Sequence, residues 1–97
     1  MELTLGPYNI RVVSDEATDI LLAEDGHEGD SDVRRGIIRV RSDLDHARRR
    51  EVIIHELLHH VIHLTHLEAR WSDEEQEEVI RAMAPWLASA VTLSVFD

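Results

Sequence analysis

Five of the seven histidines in this 97-residue chain fall between His55 and His66, and two of them bracket a glutamate in the run His55-Glu56-Leu57-Leu58-His59. Residues four apart on an α-helix lie about one turn apart on one face, roughly 6 Å along the axis. Two imidazoles so placed can converge on a single zinc ion at about 2.0–2.1 Å. The residue after the first histidine points about 100° round the helix, so Glu56 sits beside such an ion rather than on it. Zinc lowers the pKa of a bound water toward neutrality, and a carboxylate placed there is the base that takes its proton. His55 and His59 are therefore the candidate ligands, Glu56 the candidate general base and Zn2+ the expected cofactor.

A catalytic zinc site takes a third protein ligand and leaves one position open. His63 lies eight residues from His55, roughly 12 Å along a continuous helix, which is too far for all three to converge. His66 would require the helix to end sharply after His59. Ile62 stands where such an ending places a glycine, so His66 ranks second. The acids of a second helix are better placed. Ser72 and Glu75 have capping-box spacing, and Glu74 suits a first helical turn. Glu77 shares a stripe with Ile80 and Ala84, at i, i+3 and i+7, which turns it toward a neighbouring helix. Glu78 points further toward solvent. Glu77 is the expected third ligand, with Glu78 and His66 as the alternatives.

These residues need elements to hold them. Leu3 and Leu5, then Tyr8, Ile10 and Val12 beyond the turn signal Gly6-Pro7, alternate with polar neighbours and predict a hairpin or two short strands. Ser14 to Glu24 fits either a short helix or an irregular connection. Asp25 to Asp32 (DGHEGDSD) reads as an exposed loop or a weak edge strand. Gly36 to Arg41 is a strand with Ile38 and Val40 on one face. Ser42 and Asp43 are good N-cap residues for a helix reaching about Leu64, its core stripe formed by Ile53, Ile54, Leu57, Leu58 and Val61. A loop follows over Thr65 to Trp71. The second helix then runs through Val79, Ile80, Met83, Leu87 and Val91, with a kink or break expected near Pro85.

Composition narrows the function. Twenty acids against ten bases, all arginine, give a formal charge of −10, the opposite of the balance expected for a nucleic-acid binder. There is no cysteine, which removes disulfides and thiolate metal sites. The longest apolar region, Val52 to Leu67, is interrupted by Glu56 and five histidines and cannot span a membrane. With no signal-peptide pattern at the N-terminus, the expected location is cytoplasmic. The expectation is one α+β domain over residues 1–97. Arg48, Arg49 and Arg50 read as the solvated start of a helix, with Arg48 sharing the histidine stripe and able to meet Glu51 or a substrate carboxylate. Tyr8 reads as a core or sheet-edge residue, and Trp71 and Trp86 as packing residues.

The run REVIIHELLHHVIH followed by EEVIRAMA resembles the gluzincin branch of the zincin metallopeptidases, and most closely the small phage and prophage proteins related to the ImmA/IrrE family. In that family a second helix supplies a glutamate within E-x-x-A-N-x-F-A. Glu77, Ile80, Arg81, Met83 and Ala84 take the specified places here. The glutamate and last alanine match, while Arg81 departs from asparagine. The resemblance covers about residues 36 to 90. It implies a minimal zincin-like fold, with a short N-terminal sheet packed on the active-site helix and a second, C-terminal helix. It also implies zinc-dependent hydrolysis of a peptide bond in a protein or peptide partner, which for the relatives is often a repressor-type regulator. The alternatives are a non-catalytic, metal-stabilised interaction module and an acidic interaction protein that mimics DNA.

Overall fold

The computed structural model describes residues 1–90. Strands β1 (Glu2–Leu5) and β2 (Tyr8–Val13) form an antiparallel hairpin in which Leu5 pairs with Tyr8 across Gly6-Pro7. Helix α1 (Glu16–Asp25) follows. Its sequence pattern is ambiguous, and its ends decide it. The Asp15 carboxylate accepts a hydrogen bond from the Thr18 amide at 2.7 Å, and Gly26 closes the helix at φ 69°, a left-handed angle that favours glycine. Strand β3 (Gly29–Asp32) pairs antiparallel with β4 (Ile37–Val40), and β4 runs parallel to β2. The sheet order is β1-β2-β4-β3, so the second half of the Gly- and Asp-rich segment, Gly29–Asp32, is an edge strand.

Ile10, Val12, Ile38 and Val40 are each 5% exposed or less. Their period of two puts them on one face of the sheet, and they join Val52, Ile53 and Ile54 of helix α2 (His46–Leu64) in one core cluster. Full burial of each such side chain contributes about 1.5–3 kcal/mol. The helix starts later than Ser42-Asp43 predicts. Asp45 is the N-cap and accepts from the Arg48 amide at 2.8 Å. Ser42 instead ties the end of β4 to α1, its amide donating to Asp19 at 2.8 Å and its hydroxyl bonding the same carboxylate.

The burial of α2 is also wider than its predicted stripe. Leu57, Leu58 and Val61 are half-buried, whereas Val52, Glu56, His60 and Ile62 are buried. The cause is tertiary: α2 packs against β3 and β4 of the sheet and also against helix α3 (Asp73–Ala90). A short 3-10 turn, Leu67–Ala69, interrupts the predicted loop between the two helices. The capping box forms as predicted, with the Glu75 amide donating to Ser72 Oγ at 3.1 Å and the Ser72 amide donating to Glu75 at 3.2 Å. No break occurs at Pro85, which lies inside a continuous helix. Val91 lies outside the described residues. Trp86 is not a packing residue: it is 78% exposed, while Trp71 is half-buried.

Candidate metal centre

Helix geometry alone brings His55 and His59 together, with ring centroids 5.4 Å apart. The third group comes from α3. Its register is set at the N-terminus by the Ser72–Glu75 box and further along by Ile80 and Ala84, each 1% exposed. Glu77 lies three residues before Ile80 and seven before Ala84, so burying those two faces it toward α2. Its carboxylate bridges the histidines, with Oε1 2.7 Å from His59 Nε2 and Oε2 3.3 Å from His55 Nε2.

This donor set fits a divalent metal. One ligand atom from each of His55, His59 and Glu77 lies within 4.8 Å of the others. A tetrahedral ion with bonds of about 2.0–2.1 Å separates its ligands by about 3.3 Å. Two neutral imidazoles and one carboxylate are also the donor chemistry that zinc accepts. The remaining candidates are placed elsewhere. Glu78 is exposed. His66 is exposed beyond the helix end at φ 60°. His63 Nδ1 is paired with Glu68 at 2.9 and 3.0 Å. Arg81, where the family pattern has asparagine, sets its guanidinium 3.6 Å from Glu77 Oε2.

Glu56 is 8% exposed. The Ser31 hydroxyl lies 2.9 Å from its Oε1 and 3.0 Å from its backbone carbonyl oxygen. Burial pushes the Glu56 carboxyl above the usual range; the Ser31 hydrogen bond and the nearby His55 and His59 oppose this, and Glu77 adds to it. A general base works best when its pKa lies nearer neutrality than a free carboxylate's, so the direction suits that role.

Beside these groups a cleft of about 620 Å³ opens, inside the range of small-ligand pockets. Its lining includes His27, Gly29, Glu56, Glu77, Arg81 and Pro85. Arg48 also lines the cleft, but Glu28 holds its guanidinium at 2.6 Å and Glu51 at 3.2 Å.

Two residues carry no usable signal in the sequence. Ser31 is a lone serine in a stretch that reads as an exposed loop or a weak edge strand. His60 looks like a surface residue, yet it is 2% exposed and, among the described residues, its Nε2 has no partner. Burial keeps the His60 imidazole below its usual pKa, against the Ile37 backbone hydrogen bond that raises it.

No curated protein and no solved structure matches the chain. The sequence model of a peptidase family, the IrrE N-terminal-like domain, matches residues 8–94. That span contains α2 with its histidine–glutamate motif and the Glu77 that approaches it. Among the described residues a four-stranded sheet and three α-helices form the α+β architecture that the resemblance to this family implies, and the chain belongs to the IrrE N-terminal-like domain family.

Proposed function

We propose that the protein is a zinc-dependent peptidase in which His55, His59 and Glu77 hold the metal and Glu56 is the general base. The observation that carries this reading is the Glu77 carboxylate lying between two Nε2 atoms at 2.7 and 3.3 Å, beside a buried glutamate that faces an open cleft. Bound zinc would supply Lewis acidity, polarising the scissile carbonyl and acidifying water. The Glu56 carboxylate takes a proton from the attacking water and delivers it to the leaving amine nitrogen. Glu77 adds a carboxylate to the two imidazoles. The cleft favours catalysis over a metal that only braces the fold, since a bracing site has no use for an open wall beside a buried base.

The proposed substrate is a protein or peptide, with a repressor-type regulator as the first class to try. The proposed location is the cytoplasm. No described helix is long and apolar enough to cross a membrane. The test is zinc-loaded protein incubated with a peptide library and read by mass spectrometry. Wild type should cleave, and Glu56→Gln should bind equal zinc and not cleave. Cleavage that survives Glu56→Gln, or a wild type that binds zinc and cleaves nothing, would overturn the reading.

A further inference from the structure

A general base must be held as well as tuned, and Glu56 is held from outside its own helix. Among the described residues Ser31 is the only hydrogen-bond partner of its side chain. The Ser31 Oγ faces two acceptors, Glu56 Oε1 at 2.9 Å and the Glu56 backbone carbonyl at 3.0 Å. A hydroxyl has one proton to donate, and a charged carboxylate is the stronger acceptor. That proton therefore goes to Oε1 while Glu56 is ionised. The Oε1 contact ties the carboxyl to β3, because turning the side chain away breaks it.

The strand is placed to do this. Gly29 and Ser31 are two apart and so share the face of β3 that meets α2. A Cβ on Gly29 would lie 2.5 Å from Val52 Cγ1 and 3.6 Å from Glu56 Cγ, so only a glycine lets the strand come this close. On the other face Asp30 binds Arg39 through two contacts of 2.7 Å, which anchors β3 to its neighbour β4. Glu56 Oε2 has no donor among the described residues, and Glu56 lines the cleft with His55 and Glu77.

We propose that Ser31 is the positioning residue for Glu56, holding Oε1 against the edge strand so that Oε2 is the atom presented to the cleft. Its part in turnover rests on the peptidase reading; the contact itself does not. In turnover Oε2 takes the proton of the attacking water as the water oxygen bonds to the substrate carbonyl carbon. It gives that proton to the amine nitrogen as the carbon–nitrogen bond breaks. Ser31 keeps its own proton throughout.

Two measurements test this separately. The first is a double-mutant cycle in urea with saturating zinc, using Ser31→Ala and Glu56→Ala. Ser31→Ala should lower the folding equilibrium constant about tenfold in the wild-type background. In the Glu56→Ala background the loss should be at least about threefold smaller. A serine that serves only the backbone carbonyl would lose the same factor in both, and that result would overturn the proposal. If Ser31→Ala does not fold, Ser31→Cys, which keeps the shape with a weak donor, closes the same cycle. The second measurement is steady-state cleavage of whichever peptide the wild type accepts. Ser31→Ala should lower kcat about tenfold with KM and zinc affinity unchanged, and Ser31→Thr should restore kcat. An unchanged kcat would overturn the proposal. A wild type that cleaves nothing would remove the peptidase reading and the turnover role, while the cycle still decides whether Ser31 holds Glu56.

Discussion

Replacing Gly29 by alanine measures how tightly β3 is pressed against α2. The new Cβ would lie 2.5 Å from Val52 Cγ1 and 3.0 Å from the backbone oxygen of Arg39. Carbon atoms rest about 3.5–4.0 Å apart, so the contact with Val52 must open by about 1 Å. Neither neighbour gives easily. Val52 is 6% exposed within the core, and a valine in a helix has one strongly preferred rotamer. The Arg39 oxygen belongs to β4, whose pairing with β3 would have to distort. Overpacking of this kind costs about 1–3 kcal/mol. Alanine recovers about 0.4–1 kcal/mol by restricting the unfolded chain. Steric cost wins: the middles of the two ranges, about 2 and about 0.7 kcal/mol, leave a net loss of about 1.3 kcal/mol. For a domain of this length that lowers Tm by roughly 5–10 °C. A thermal melt followed by circular dichroism reads it directly. A Tm equal to or above wild type would refute the close strand–helix approach, and with it the placement of Ser31 on Glu56.

Glu77→Ala should weaken zinc binding at least about tenfold in a chelator competition, since it removes the carboxylate that meets both imidazoles and even losses outside the ligand shell cost about 10–100-fold; unchanged affinity would move the third ligand to Glu78 or His66. Burial raises the folded-state pKa of Glu56, so the native protein keeps this proton at pH values where the unfolded chain, near its ordinary value of about 4.3, has released it. The associated stability is fully present below that value and is lost as pH rises through the folded-state pKa. Glu56→Gln carries no such loss. In metal-free protein its stability relative to wild type, read by urea unfolding, should increase as pH rises from about 4 and then level off, and a difference independent of pH would refute the assignment.

What the sequence determines is local. The spacing of His55, Glu56 and His59 dictates one face and one flank of any helix that contains them, because 3.6 residues per turn leaves no other arrangement. The Ser72–Glu75 box and the period of Ile80 and Ala84 likewise set which way Glu77 turns, before any partner helix is known. The alternating Ile10, Val12, Ile38 and Val40 mark one buried sheet face for the same kind of reason.

Long-range packing decides the rest. His60 and Ile62 are buried because α2 packs against β3, β4 and α3 together, whereas an amphipathic pattern describes a helix with one covered face. Trp86 is exposed because it lies off the stripe of Ile80 and Ala84 that α3 buries, although tryptophan composition alone argues for packing. Ser31 meets Glu56 across 25 positions of sequence. That meeting depends on β3 pairing with β4 and on a glycine admitting the strand against Val52. Periodicity reports only which neighbours along one element share a face. A contact between two elements exists only once both have been packed, and the hold on the candidate base is a contact of that second kind.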